Sequence, residues 1–245
     1  MDLKLFKAIG LREMENVSLM KRTDTKFVFP YNLFENLIQS MELHYDILEI
    51  NDHRIQKYKT NYFDNELFTF YSDHHNKKEN RMKIRIREYV NSKICFLEVK
   101  RKVKGHTIKS RILINNLTKD INLINKQLME LGIKNIGLKY TLTNTFDRIT
   151  FVNKNKTERL TIDTHVKFEL EERKFQLSNI AIAELKQSRI DRSSFFFKLM
   201  KMNNIRPFGI SKYCTGLLNL EKNENIKYNR FKQKSIYLDK LNNKA

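Results

Sequence analysis

The chain is short of acid. Its 245 residues carry 28 Asp and Glu against 47 Lys and Arg, a formal net charge of +19. Such an excess calls for a polyanionic partner: nucleic acid, a phosphorylated small molecule, polyphosphate or an acidic membrane. Cysteine is scarcer still, with only Cys95 and Cys214, far apart and in no CxxC or Cys/His spacing. A disulfide framework and a structural zinc site are therefore not indicated, and a reducing cytoplasmic interior is the expectation. Six glycines and two prolines leave no Gly/Pro-rich linker, and no internal repeat is present. One domain is expected over residues 1–220, with a basic tail or terminal helix over 221–245. No window approaches the roughly 20 apolar residues of a membrane-spanning helix. The charged opening "MDLKLFKAIGLREMENVSLM" lacks the apolar core of a signal peptide. A soluble protein is expected, with a membrane-protein partner left open.

Part of the positive charge belongs to a Lys- and Asn-rich composition that solvates the surface, but its distribution says more than its sum. Residues 77–111 hold 13 Lys and Arg against 3 Asp and Glu. Within that stretch "RMKIRIREYV" sets Arg81, Lys83, Arg85 and Arg87 at alternate positions, with Met82, Ile84 and Ile86 between them. A strand with one cationic and one apolar face is the reading.

Strand alternation also marks "KRTDTKFVFP", ended by Pro30, and the spacing of Phe34, Leu37, Ile38 and Met41 predicts a helix over Tyr31 to Tyr45. "YKTNYFD" and "LFTFYSD" read as a hairpin turning at Asn65-Glu66. With the following "RMKIRIREYV", "KICFLEVKRKV" and "HTIKSRILI", they form a predicted meander of about five antiparallel strands. A helix is expected over Asp120 to Leu131. Strands are expected at "LKYTLTNTFDRITFV", "ERLTIDTHVKFEL" and "IAIAELKQS", then a helix in which Ser193 and Ser194 precede "FFFKLMKM". Some eight to ten strands interleaved with helices predict an α+β fold: an antiparallel barrel with helices packed outside.

The charged alternation recurs at Glu98, Lys100 and Lys102, at Lys109 and Arg111, at Arg159, Thr161 and Asp163, and at Glu184 and Lys186. Any one of these could be a solvated strand face. Together they would line a barrel lumen with cations, and burying like charges costs several kcal/mol per ion unless a counter-charge arrives. A linear triphosphate supplies one, held by Arg forks and Lys ammonium groups. The sparse carboxylates would then hold a divalent metal on the phosphate oxygens.

The series "RTDTKF", "YKTNYFD", "YSDHHN", "RMKIRIREY", "FLEVKRK", "RLTID", "IAELKQS" and "ISKY", in this order, resembles the VTC (vacuolar transporter chaperone) catalytic domain of the triphosphate tunnel metalloenzymes. The resemblance spans about Leu19 to Leu218. It implies an eight-stranded antiparallel tunnel barrel and a polyphosphate polymerase, which moves the terminal phosphate of ATP onto a growing polyphosphate chain with Mn²⁺ or Mg²⁺. It assigns Lys26, Arg85, Arg87, Lys100, Arg159 and Lys212 to the catalytic set and Glu184 to the metal. Lys109 and Ser211 become phosphate ligands by the same match, while the charged alternation adds Arg22, Arg81 and Lys83 as further substrate-binding cations, Arg81 and Lys83 nearer a tunnel mouth, with Arg148 beside them. The sequence departs from the family at "YxRxxF": Thr141 and Thr143 stand at the Tyr and Arg positions, with Arg148 beyond Phe146 as the candidate substitute.

Three activities remain on this reading. A polymerase uses an already ionised phosphate oxygen as nucleophile and needs no general base. A hydrolase must activate water, and the related hydrolases resemble "ExExK" where this chain has Arg22, Asp24 and Lys26, which favours transfer. Non-catalytic polyphosphate binding is the third. Nucleic acid is not expected, because neither a stacking platform for single strands nor a recognition helix is evident. Asp24, Glu98 and Asp163 are read as orienting neighbouring cations, and His74 and His75 as structural residues on a strand.

Overall fold

The computed structural model describes residues 2–15, 22–104, 106–221 and 226–243. The elements are β1 (Ala8–Ile9), α1 (Leu11–Glu15), β2 (Thr23–Pro30), α2 (Phe34–Gln39), β3 (Tyr45–Leu48), β4 (Gln56–Asn65) and α3 (Thr69–His75). There follow β5 (Arg81–Tyr89), β6 (Ile94–Val103), β7 (His106–Ile114), α4 (Ile121–Glu130), β8 (Leu138–Asn153), β9 (Glu158–Leu170), β10 (Arg173–Leu177) and β11 (Ile180–Gln187). The chain finishes with α5 (Phe195–Met202), α6 (Lys212–Leu220) and α7 (Lys232–Asn242).

One sheet runs in the order β2-β11-β9-β8-β4-β5-β6-β7, with β1, β3 and β10 attached off this path. Neighbours on the path are antiparallel. This is the α+β, eight-stranded antiparallel arrangement that the sequence predicts. Strand pairing does not close it: among the described residues β2 and β7 end the path and do not pair with each other. The result is a curled, barrel-like sheet whose β2 edge is covered by Pro207 and Phe208, the Phe208 amide donating to the Lys26 carbonyl at 2.7 Å.

Alternation decides what each face packs against. Ile84 and Ile86 of β5 with Leu97 and Val99 of β6 bury outward beneath Ile124 and Leu128 of α4. Phe27 and Phe29 of β2, Ile162 of β9 and Ala183 of β11 bury beneath Leu37 and Ile38 of α2 and Phe196 and Met200 of α5. The opposite face carries the charge. At one end of that concave side sits α6, whose Tyr213, Cys214 and Leu217 pack on Val28, Tyr62, Leu142, Phe146 and Ile182. The helix lies so close that a Cβ on Gly216 would meet Phe168 at 2.5 Å and Leu142 at 3.1 Å. Leu238 of α7 joins the same core.

Two sequence expectations are corrected and one helix is added. "LFTFYSD" is a helix rather than a strand, so the meander has four strands and His74 and His75 lie on α3. The cause is local capping. The Asp64 carboxylate accepts from the Phe70 and Tyr71 amides, and Asn65 Oδ1 accepts from the Thr69 amide, satisfying the free donors of a helix start. The helix after Pro30 is a 3-10 turn over Tyr31–Leu33 followed by α2, and Tyr45 already belongs to β3. The helix α6 was not expected at all.

Candidate functional site

The concave face is built from cross-strand rungs. Lys83 pairs with Lys100 and Lys100 with Lys109, so three lysines lie directly opposite one another on β5, β6 and β7. Like charges so placed destabilise a sheet. The next rung alternates sign, Arg85–Glu98–Arg111, and the one beyond is Arg87–Phe96–Leu113. Arg85 Nε donates to Glu98 at 2.6 Å. Arg87 is only 7% exposed; its Nε donates to Thr60 at 3.3 Å, and its guanidinium lies over the rings of Tyr58 and Phe146.

Across the lumen, β2, β11 and β9 contribute Asp24, Lys26, Glu184, Lys186, Arg159, Thr161 and Asp163, facing inward by alternation, and Arg22, just before β2, joins them by donating to Asp24. Lys26 and Lys186 both donate to Glu184, the latter at 2.7 Å. Arg148 of β8 makes a two-pronged bond to Asp163, which also receives Lys212 from the start of α6. Ser211 caps α6 by accepting from the Cys214 amide and accepts from Lys83 at 3.0 Å. A helix start thereby delivers one hydroxyl and one ammonium to the lumen. Lys186, part of the alternating pattern but outside the predicted site set, has 8% of its side chain exposed and belongs to the same constellation.

The titratable groups record this crowding. Enclosure, with Lys109 and Lys83 nearby, lowers Lys100 to about 8. Burial takes Lys186 to about 8 even though Glu184 opposes the shift. Lys83, Lys109 and Lys212 are each lowered by burial first. Burial would raise Glu184, but Lys186 and Lys26 together hold it well below the carboxylate range. The same contest leaves Asp163 strongly lowered by Arg148 and Lys212.

Two classes of cation emerge. Arg22, Lys26, Arg85, Arg148, Lys186 and Lys212 each have a carboxylate. Among the described residues Arg81, Lys83, Arg87, Lys100, Lys109 and Arg159 have no ion pair; Arg81 instead donates to the Lys78 carbonyl. The Thr161 hydroxyl, set between Arg159 and Asp163 and opposite Glu184, is buried without a hydrogen-bond partner. A lumen so lined is complementary to a polyanion that brings many acceptor oxygens.

The sequence matches the VTC domain over residues 21–221. The chain belongs to the VTC domain family. Solved structures align with the chain, one of them closely enough to share its fold. A protein from Hippeastrum, named as a candidate adenylyl cyclase and reported with a dominant triphosphatase activity, aligns with a TM-score of 0.50 at 15% identity, covering 78% of this chain and 93% of its own. A candidate adenylate cyclase from Vibrio parahaemolyticus aligns with a TM-score of 0.43 at 13% identity, over 75% of this chain and 86% of its own. No curated protein matches the chain.

Within this VTC domain the residues at the departure from "YxRxxF" have structural partners. Thr141 Oγ1 donates to the Tyr62 carbonyl, and Thr143 Oγ1 donates to Asn61 Oδ1. Arg148 is the β8 guanidinium that reaches the lumen. No three His, Cys, Asp or Glu among the described residues cluster to hold a metal by themselves. Glu184 fits a different demand: one carboxylate for a hard cation that completes its shell with phosphate oxygens and water. Nor is any helix among the described residues long and apolar enough to cross a membrane.

Proposed function

We propose that this VTC domain is a polyphosphate polymerase that transfers the terminal phosphate of ATP onto a polyphosphate chain in its cationic lumen. The observation that carries this reading is the rung Lys83–Lys100–Lys109. Three adjacent ammonium groups without a carboxylate are a poor structural device and a good phosphate cradle. Arg87 and Arg159 extend the cradle on either wall, and Arg85, Lys26, Arg148, Ser211 and Lys212 complete it. Arg22 and Arg81 lie toward opposite ends and draw the polyanion in.

The carboxylates favour transfer over hydrolysis. Asp24, Glu98, Asp163 and Glu184 are each seated on a cation, so none is free to take a proton from water. A phosphate nucleophile needs only positioning and charge neutralisation. A divalent cation, Mn²⁺ or Mg²⁺, bound by Glu184 together with phosphate oxygens would neutralise charge on the transferring group. The chain's own cations hold donor and acceptor in line. The buried thiols Cys95 and Cys214 suit a cytoplasmic setting.

Incubation with ATP and Mn²⁺ tests the reading. Long polyphosphate appearing with ADP is expected, and free phosphate without polymer would replace the polymerase by a hydrolase.

A further inference from the structure

The lumen is not uniformly charged along its length. On β5, β6 and β7 the inward rungs pass from Lys83–Lys100–Lys109 through Arg85–Glu98–Arg111 to Arg87–Phe96–Leu113, and β5 ends on Tyr89. Tyr89 pairs across to Tyr58, which pairs with Phe146. The rings form a continuous row: Phe146 and Tyr58 stack with centroids 5.0 Å apart, Tyr58 meets Tyr89 at 5.0 Å, and Tyr89 meets Phe96 edge-on at 6.0 Å. The Arg111 guanidinium lies 4.7 Å from the Phe96 ring centroid. Beside Phe96, on the same inward face, Leu113 is 66% exposed. An accessible leucine beside an aromatic row extends an apolar strip next to the cationic rungs.

We infer that this row is the nucleoside subsite: Phe96, Tyr89 and Leu113, with Arg111, take the purine of a nucleoside triphosphate whose terminal phosphate reaches the lysine rung. The inference rests on the phosphate-binding reading of the lumen. Two rungs separate the lysines from Phe96, about 13 Å along the strands, and an extended nucleoside triphosphate likewise carries its base and terminal phosphate at opposite ends. Recognition by ring faces and a guanidinium selects a flat, large π-system and does not read base edges. The site therefore takes purine nucleotides in general, adenine and guanine alike.

The chain contains no tryptophan, so Leu113→Trp installs a single fluorophore at an exposed position outside every buried core. Titration of this variant with ATP, GTP and tripolyphosphate is the test. Quenching by ATP and GTP, with tripolyphosphate displacing both but not quenching by itself, is expected. In parallel, Phe96→Ala in the otherwise native chain should weaken ATP binding about tenfold, in line with the 1–3 kcal/mol of a base stack, and leave tripolyphosphate affinity within about twofold. Quenching by none of the three, with ATP and tripolyphosphate still competing, overturns the subsite but leaves the lumen reading intact. Failure of tripolyphosphate to displace ATP overturns both.

Discussion

Arg148 donates from Nε and Nη2 to the two oxygens of Asp163, at 2.6 and 2.8 Å, and Lys212 shares the second of those oxygens. One carboxylate thus ties β8 and β9 to the start of α6 and sets two cations in place for a ligand. With 4% of its side chain exposed, Asp163 is also the group whose loss would strand the most buried charge. Asp163→Asn keeps the shape and removes the charge. It should cost about 3 kcal/mol of stability, as breaking a buried pair does, and saturating tripolyphosphate should restore part of the loss in a thermal melt. No change in melting temperature would show that the pair is not holding the site.

The graded burial of β5 separates binding from steering. Arg87, buried and without an ion pair, lies two rungs from the lysines and holds the substrate short of the transferring phosphate: Arg87→Ala is expected to lower kcat/KM at least about tenfold, the scale of a lost charge-assisted hydrogen bond. Arg81, half-buried and bonded only to the Lys78 carbonyl, should cost less than about threefold as Ala while steepening the salt dependence of substrate capture. Phosphate-transfer rates at two ionic strengths read both, and equal effects from the two variants would sink the distinction.

Lys100 and Lys186 give a pH signature. Each sits near 8 when folded, below the ordinary 10.5, so from about pH 8 to 10.5 the unfolded chain binds more protons than the folded one. Stability must then rise with pH across that window, and below pH 8 the destabilisation is fully present. Melting temperature of the ligand-free protein should increase between pH 7.5 and 9.5, while tripolyphosphate affinity falls as the lysines lose charge. A melting temperature that declines through that range would count against the burial of these cations.

Glu184 holds Lys26 and Lys186. Glu184→Gln should abolish metal-stimulated turnover, yet keep or tighten metal-free tripolyphosphate binding because two lysines are released to the ligand. Calorimetry with and without Mn²⁺ distinguishes this from a purely structural carboxylate, whose replacement would weaken both.

Gly216 tests whether α6 must seat as deeply as it does. A methyl there would lie 2.5 Å from the fully buried Phe168 ring, so Gly216→Ala should destabilise by about 1–3 kcal/mol. It should also lower activity beyond the stability loss, because Ser211 and Lys212 begin the displaced helix. Activity measured well below the melting temperature separates the two effects.

Much of this was legible. Alternation revealed the strands carrying Lys26, Arg85, Lys100, Arg159 and Glu184 because a sheet with one dry and one charged face writes its period directly into the chain. What escaped depended on contacts between distant or competing residues. "LFTFYSD" has strand composition, and only the Asp64 and Asn65 side chains bonded to its amides turn it into α3. The helix α6 did carry a signal: Ser211 as a cap, with Tyr213, Cys214, Leu217 and Leu220 at helical spacing. The rung of three lysines could not be read at all, since register across strands is set by pairing and not by any one strand.

The seam between β2 and β7 bears on what the lumen can receive. No ladder joins those two strands, and a loop segment, Pro207 and Phe208, lies along β2 instead. A wall laddered all the way round keeps one bore, whereas here the width offered to an incoming chain is set by a single unladdered seam and not by the strand count alone.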